Sequence, residues 1–205
     1  MKAVRIHSQG GPDVLVFEEI AAPVLSTTDV LVKIEAVGVN FIDTYQRSGL
    51  YQIPLPSTLG LEGAGIVDSV GKDVTRFKKG DRVAYTNIPG AYAEFAAVPE
   101  DKLVNLPATV SFNEGAAILL QGCTAHFLCH STYSVKPGDV CLVHAAAGGV
   151  GLLLTQMIKM LGATVIATVS TQAKATLAKA AGADHAILYT ETDFEAARQL
   201  SLIPI

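Results

Sequence analysis

The sequence predicts an α/β protein with a β-barrel. The N-terminal region is built of short strands, and the region after it forms part of a doubly wound parallel sheet. Three observations predict this fold class. Up to about Pro107, short β-branched runs alternate with Gly, Pro and Asp, which is typical of a barrel or sandwich. From Val140 onward, an apolar run, a turn and a helical pattern follow one another twice. A glycine just past each of these helices suits a left-handed C-cap.

The first part contains five predicted strands and then a helix. Ser111 and Glu114 form a capping-box pattern in front of an apolar run, so we expect a helix from there to about Ser131. A Pro-Gly-Asp sequence at 137–139 then turns the chain. The strands are predicted at 14–20, 30–39, 65–70, 82–86 and 91–98.

The second part alternates strands and helices, as a parallel sheet requires. The run 140–145 is apolar except for His144 and predicts a buried strand. A helix over 150–161 is closed by Gly162, and a second over 171–181 is closed by Gly182. Two further strands are predicted at 164–169 and 186–189.

Composition narrows the class of protein. In 205 residues, 50% are hydrophobic and the net charge is only −4, which excludes disorder and disfavours a nucleic-acid or anionic-membrane partner. A spanning helix needs about 20 apolar residues, and the most apolar stretch, 140–169, is broken by glycines. The N-terminus shows no secretory signal, so we expect a cytoplasmic protein. The three cysteines, with no CxxC, indicate neither a disulfide framework nor a Cys-based zinc site.

The strongest functional signal is the sequence AAAGGVG at 145–151, which follows a predicted strand and opens a predicted helix. Small residues in this turn let the backbone approach a pyrophosphate, and the helix N-terminus presents free N–H groups to it. The alternative is a plain tight turn. We therefore predict a dinucleotide site whose turn includes Gly148, Gly149, Val150, Gly151 and Leu152.

The residues after the second strand of this sheet favour NADP over NAD. NAD sites place an acidic residue about 20 residues past the glycines, but no Asp or Glu occurs between Gly151 and Asp184. Ser170 and Lys174 stand there instead, and a hydroxyl with a lysine suits a 2′-phosphate. The alternative for Lys174 is a solvated helix residue.

Several motifs together resemble the quinone oxidoreductase/zeta-crystallin branch of the medium-chain dehydrogenase/reductases. The similarity extends from the start of the chain to about Phe194. It implies a GroES-like substrate domain over 1–119 and the N-terminal half of a Rossmann NADP-binding domain over 120–205. The motifs are GGPDVL at 10–15, GVNFIDTYQRSGLY at 38–51, GLEGAGIV at 60–67, GDRVAY at 80–85, and AAAGGVG with Gln156 and Lys159.

The resemblance implies an enzyme, an NADPH-dependent quinone reductase that works without zinc. Zinc-dependent relatives have a metal-binding Cys where this chain has Asn40 and a His where it has Leu61, whereas zinc requires N or S ligands. Glu62 is therefore expected to be structural. Cys123, His126 and His130 share one helix face, but no carboxylate lies nearby in sequence, and we favour packing over a metal site.

Carried over residue by residue, the family's contacts assign candidate site residues. Phe127 keeps a stacking surface where relatives often have Tyr. Asn40, Tyr45 and Tyr51 are expected to donate hydrogen bonds to the acceptor carbonyl. Tyr189 has an alternative as the last residue of a buried strand. The nicotinamide contacts fall on Phe41, Ile42, Asp43, Thr44 and Tyr45, the pyrophosphate turn on Gly149, Val150, Gly151 and Leu152, and the adenosine phosphate contacts on Ser170, Lys174 and Tyr189.

Family members are longer, and the ending SLIPI does not match them, so we expect a replaced or truncated C-terminus. A capping box is predicted at 192–195, and apolar residues of the tail are expected to cover apolar surface. The strand 140–145 becomes a sheet edge. The family forms homodimers, with the usual contact in the missing half. The tail residues in question are Leu200, Leu202, Ile203 and Ile205.

Three functions stay open from the sequence. The first is a reductase that uses NADPH on quinones or, as an alternative within the family, on the double bond of an enoyl thioester or alkenal. The second is a non-catalytic NADPH-binding remnant. The third is a truncated product without a ligand, which associates with full-length chains through its open edge.

Overall fold

A computed structural model describes residues 1–192 of the chain. The chain divides into two compact units, Met1–Leu120 and a second one that begins at Gln121. Within residues 1–192, no helix is long and apolar enough to cross a membrane. The predicted capping box at 192–195 and the apolar tail residues fall largely or wholly outside the described residues. The assignment of a substrate role to one unit and a cofactor role to the other stays a prediction.

The first unit is built on a curled, half-barrel sheet of five antiparallel strands in the order β7-β3-β5-β6-β8, with a smaller sheet in the order β2-β1-β4. The prediction of a barrel-type part built of short strands is confirmed. The strands are β1 (Lys2–Ile6), β2 (Leu15–Glu19), β3 (Asp29–Val37), β4 (Ser57–Thr58), β5 (Glu62–Val70), β6 (Arg82–Thr86), β7 (Phe95–Pro99) and β8 (Leu103–Asn105).

Side chains point alternately to the two faces of the five-stranded sheet, and those on one face lie in the core. Val30 and Val32 of β3 are fully buried and pack with valines of the neighbouring strands. β-Branched side chains suit this pleated surface, and each buried valine contributes about 1.5–3 kcal/mol relative to exposure. The core that results holds the ends of β3 and β5 in fixed positions.

A helix forms between the predicted strands 30–39 and 65–70, where no helix was predicted. This helix, α1, spans Phe41–Ser48. The Asp43 carboxylate accepts the backbone N–H of Asn40 at 2.8 Å, which satisfies the helix start. Gly49, at φ +87°, ends the helix in the left-handed region. Tyr45 therefore lies on a helix, and Tyr51 in the segment that follows it.

Other boundaries differ by a few residues. The predicted strand 91–98 begins only at Phe95, because Tyr92 turns and donates its N–H to Leu59 O at 2.9 Å. The predicted helix from Ser111 begins as expected, since Glu114 N–H donates to Ser111 Oγ at 3.2 Å. The helix, α2 (Phe112–His126), gives way to a π-helical turn, Phe127–Thr132, in place of one continuous helix.

The second unit contains a three-stranded parallel sheet in the order β11-β10-β9, as the pattern predicted. Both helices end at the expected glycines, Gly162 at φ +81° and Gly182 at φ +110°. Within residues 1–192, β9 pairs with β10 alone and forms an edge of the sheet. The elements are β9 (Val140–His144), α3 (Gly149–Met160), β10 (Thr164–Val169), α4 (Gln172–Ala180) and β11 (His185–Leu188).

Candidate functional site

The glycine-rich turn joins the end of β9 to the start of α3. Ala145 has a positive φ of +49°, and Gly148 donates its N–H to Ala145 O at 2.8 Å, which closes the turn. Gly148 is the N-cap of α3 and offers no side chain to cap the helix. The first N–H groups of α3 are therefore left without a side-chain cap, as an anion site at a helix N-terminus requires.

The three glycines of the turn have different steric surroundings. A Cβ on Gly151 would collide with Ala145 O and lie 2.6 Å from the Cα of Ala146, so no side chain fits against this backbone. A Cβ on Gly149 would meet only the amide end of the Gln121 side chain. Gly151 thus allows α3 to pack on the strand end, whereas Gly149 lies on the exposed side of the turn. Val150 and Leu152 are half-buried beside them.

The turn between β10 and α4 brings two of the predicted phosphate contacts together. Lys174 Nζ donates to Ser170 Oγ at 3.1 Å. Here the helix is capped, because Thr171 Oγ1 accepts the N–H of Lys174 at 3.3 Å. Both the hydroxyl and the ammonium are polar groups near the carboxyl end of a parallel strand, where nucleotides bind in open α/β sheets.

Tyr189 lies beyond β11 rather than in it. Its N–H donates to Val169 O at 3.1 Å, and its side chain is half-exposed. It lines a cavity of about 400 Å³ with His144, Ala145 and Thr168. The alternative of a buried strand residue therefore does not describe this tyrosine.

His144 was not among the predicted site residues. Its Nδ1 lies 2.9 Å from Thr168 Oγ1, which is fully buried. The register of β9 and β10 places these two residues side by side. The signal that could have identified His144 was its position as the last residue before the glycine-rich turn.

In the first unit, Asn40 and Glu62 form a buried polar pair. Asn40 Nδ2 donates to Glu62 Oε2 at 2.9 Å, and Leu120 N–H donates to Glu62 Oε1 at 2.8 Å. Asn40 is 7% exposed and Glu62 is 0% exposed. One N–H of the Asn40 amide is thus engaged by Glu62, and the role of Asn40 toward an acceptor stays a prediction.

The Asp43 carboxylate is also used inside the first unit. Its Oδ2 accepts the Asn40 N–H and, at 2.7 Å, the hydroxyl of Tyr92. Burial, followed by this hydrogen bond to Asp43, raises the pKa of Tyr92. Asp43 is 3% exposed, and within residues 1–192 its Oδ1 has no hydrogen-bond partner. The predicted nicotinamide contact of Asp43 stays a prediction, and its side chain first serves to fix the start of α1.

Three aromatic rings are exposed together along α1 and the segment after it. The ring centroids of Phe41 and Tyr45 are 6.4 Å apart, and those of Tyr45 and Tyr51 are 5.4 Å apart in an edge-to-face arrangement. Phe41 is 81% exposed and Tyr51 is 52% exposed. Ile42 is half-buried, and the Thr44 hydroxyl donates to Phe41 O at 2.7 Å. These rings form a partly apolar surface that also carries hydroxyl donors.

The zinc positions of the resemblance hold residues that do not bind zinc. Leu61 is a buried aliphatic side chain, and the Asn40 amide is bonded to Glu62. In the part of the chain that the structure describes, no three or more His, Cys, Asp or Glu side chains are grouped closely enough to hold a metal. His126 and His130 stack with centroids 4.3 Å apart beside the exposed Phe127.

Comparisons with known proteins agree with this organisation. Residues 26–108 match the alcohol dehydrogenase GroES-like domain, and residues 149–200 match the zinc-binding dehydrogenase family. A quinone oxidoreductase of Pseudomonas aeruginosa is 48% identical over 92% of this chain and 59% of its own length. A 2-haloacrylate reductase of a Burkholderia species is 41% identical over 97% of this chain and 62% of its own length.

Solved structures extend the similarity to three dimensions. A quinone oxidoreductase of Pseudomonas syringae pv. tomato superimposes with a TM-score of 0.94 at 51% identity, covering 98% of this chain and 62% of that one. The Escherichia coli quinone oxidoreductase complexed with NADPH has a TM-score of 0.94 at 45% identity, over 98% of this chain and 63% of that one. The chain thus spans about three fifths of the length of the relatives that it matches.

Proposed function

This chain belongs to the quinone oxidoreductase family of the medium-chain dehydrogenase/reductases, and from that membership we propose that it binds NADPH and reduces quinones without zinc. The observation that supports the cofactor choice is the contact between Lys174 Nζ and Ser170 Oγ at 3.1 Å. This contact supports NADP, because an NAD site carries a carboxylate near the end of this strand.

The residues of the second unit fit NADPH. The uncapped N-terminus of α3, from Gly149 to Leu152, would receive the pyrophosphate. Ser170 and Lys174 would hold the 2′-phosphate, since both donate hydrogen bonds and one is positively charged. Tyr189 lines the cavity at the strand ends and would contact the adenosine side. When bound, NADPH supplies the hydride for the reduction.

The residues of the first unit would receive the acceptor. The second N–H of the Asn40 amide and the hydroxyls of Tyr45 and Tyr51 would donate hydrogen bonds to a carbonyl oxygen as negative charge develops on it. The rings of Phe41 and Tyr45 offer area for stacking on a planar conjugated molecule. The Asn40 and Leu61 positions lack zinc ligands, which supports a mechanism by hydrogen bonding instead of Lewis-acid chemistry.

A second candidate acceptor is an activated alkene. The 2-haloacrylate reductase at 41% identity is the observation that favours it. The same hydrogen-bond donors would then polarise the carbonyl or carboxylate conjugated to the double bond. Because both acceptors need NADPH, cofactor binding alone does not distinguish them.

The compartment is proposed from the cysteines, and the assembly is considered from the family. Cys123, Cys129 and Cys141 are all free thiols, as is usual in a reducing compartment, and we propose the cytoplasm. The family forms homodimers, and the resemblance implies that their usual contact lies beyond the part that this chain matches, so a dimer of this chain would need a different contact. Sedimentation of the purified chain over a range of concentrations measures whether such a dimer forms.

The proposed reaction is tested by NADPH oxidation with 1,4-benzoquinone and, in parallel, with 2-chloroacrylate. We expect faster turnover with the quinone. Turnover with 2-chloroacrylate alone would replace the quinone by the alkene as acceptor. NADPH binding without turnover on either acceptor would identify a binding protein and refute the reductase.

A further inference from the structure

We propose that Glu62 is a positioning residue for the acceptor-binding residues of the first unit, acting through the amide of Asn40 and the start of α1. The inference rests on the proposed function for the role of Asn40 and α1 in the reaction. The position of Glu62 itself, its burial and its hydrogen bonds come from the structure alone.

Glu62 joins three segments that are distant in sequence. It is the first residue of β5, its Oε2 accepts from Asn40 Nδ2 at the N-cap of α1, and its Oε1 accepts from Leu120 N–H in α2. Both donors are neutral amides. A fully buried carboxylate is costly unless its lone pairs are satisfied, so these two hydrogen bonds fix where the carboxylate lies.

The backbone before α1 is shaped around this carboxylate. Gly38 donates its N–H to Glu62 O at 3.0 Å. A Cβ on Gly38 would collide with Glu62 Oε2 and with Ala116 O. Only glycine permits this close approach. The segment that leads into Asn40 is therefore packed directly against the group that binds the Asn40 side chain.

The carboxylate also determines which way the Asn40 amide points. Glu62 Oε2 accepts from Asn40 Nδ2, so the NH₂ of Asn40 faces Glu62 and its carbonyl oxygen faces away. The backbone N–H of Asn40 is held at the same time by Asp43 Oδ2 at 2.8 Å. Asn40 is thus fixed through both its side chain and its backbone, and the first turn of α1, with Phe41 and Tyr45, starts from a defined position.

Substitution of Glu62 by glutamine distinguishes the effect of its hydrogen bonds from the effect of its side-chain volume. In Glu62→Gln the side chain keeps its shape but offers one acceptor and one donor group, so either Asn40 Nδ2 or Leu120 N–H loses its hydrogen bond to residue 62. In the double variant Asn40→Asp/Glu62→Gln, the amide at 62 donates to the carboxylate at 40 and still accepts from Leu120 N–H. The pairing is then reversed and every hydrogen bond is retained.

The matched control is Glu100→Gln. Glu100 lies in the same unit, and its Oε1 accepts the backbone N–H of Thr75 at 2.7 Å and that of Arg76. The variant makes the same change from carboxyl to amide and also leaves a backbone donor with a poorer partner. It differs in that Glu100 binds an exposed loop and not the segment before α1.

The test is amide hydrogen exchange of segment 38–49, measured by mass spectrometry on the full chain. We expect exchange about 10-fold faster in Glu62→Gln, because an unsatisfied buried donor is strongly destabilising, and near wild-type exchange in Glu100→Gln and in the double variant. If Glu62→Gln loses protection throughout β3 and β5, recovery in the double variant still identifies the pairing. Unchanged exchange in Glu62→Gln, or no recovery in the double variant, overturns the proposal.

Kinetics with 1,4-benzoquinone provide the second measurement. Glu62→Gln is expected to lower kcat by roughly 10- to 100-fold, as misplacement of positioned groups does, with the Kd of NADPH unchanged. An unchanged kcat contradicts the positioning role. A wild-type chain that fails to oxidise NADPH with any quinone refutes the proposed function alone, and the exchange comparison then decides on Glu62.

Discussion

The two strand-to-helix turns of the second unit connect equivalent elements with different residues. Between β9 and α3, glycines form the turn and Gly148 leaves the helix N-terminus without a side-chain cap. Between β10 and α4, Thr171 caps the helix and Lys174 binds Ser170. A glycine in place of a polar N-cap costs only a few tenths of a kcal/mol. The first turn can therefore leave its N–H groups open for a phosphate at little cost in stability, whereas the second offers side chains.

The largest expected effect is a loss of NADPH affinity when the turn between β10 and α4 is changed. Lys174→Glu removes a cation and adds a repelling charge, so we expect the Kd of NADPH to rise roughly 100-fold, in line with hydrogen bonds to charged groups. The Kd of NADH should hardly change. Calorimetric titration with both nucleotides measures this difference. Lys179→Glu, on the last turn of the same helix, is the control for charge alone. Equal losses for both nucleotides would assign Lys174 to the solvated surface.

The glycine turn should respond differently at its two central positions. In Gly151→Ala the new methyl group meets backbone atoms, so we expect the free energy of unfolding to fall by about 1–3 kcal/mol, as for other overpacked sites. In Gly149→Ala it meets only the flexible end of Gln121, and stability should change by less while NADPH binding weakens. Urea unfolding and titration of both variants separate packing from binding. The reverse order of stabilities would contradict the geometry.

Removal of the cap on α4 tests the other half of the comparison. Thr171→Ala deletes the oxygen that accepts the N–H of Lys174, so stability should fall by about 1 kcal/mol, a usual value for an N-cap. The NADPH affinity should fall by less than it does in Lys174→Glu. Thermal unfolding provides the measurement, with Thr176→Ala as a control inside the same helix. An effect no larger than that of Thr176→Ala would mean that the cap does not stabilise α4.

The smallest effect concerns the ion pair before β11. Burial tends to raise the pKa of Asp184, but hydrogen bonds from Val165 N–H and Lys159 outweigh it and lower that pKa. A carboxyl with a lowered folded pKa stabilises the protein above its unfolded pKa, and this stability is lost as the pH falls through the folded value. Stability between neutral pH and pH 3 should therefore fall less steeply in Asp184→Asn than in the wild type. Identical slopes would rule out a contribution from Asp184.

The second unit was more predictable from sequence than the first. Local signals determine its elements, since the apolar run of β9, the glycine turn and the C-capping Gly162 and Gly182 each act within a few residues. In the first unit, α1 was missed because it is a short helix whose start depends on Asn40 and Asp43 in place of the usual Ser or Thr capping box.

In the candidate site, too, contacts between residues close in sequence were predictable and contacts between distant residues were not. The contact of Ser170 with Lys174 joins residues four apart and follows from sequence. The bond between Asn40 and Glu62 joins residues 22 apart, and that between His144 and Thr168 joins residues 24 apart. Such contacts depend on strand register and packing, which a single sequence does not determine. Glu62 was expected to be structural because the zinc ligands near it are replaced, and its bond to Asn40 was not predicted.

In the proposed function, the second unit binds NADPH through the turn between β9 and α3 and the turn between β10 and α4. Calorimetric titration of the unaltered chain with NADPH and with NADH tests it most directly. We predict saturable binding of NADPH at least about 10-fold tighter than that of NADH, as one charge-assisted hydrogen bond to the 2′-phosphate provides. Equal affinity for the two nucleotides, or no heat of binding with NADPH, would contradict the account.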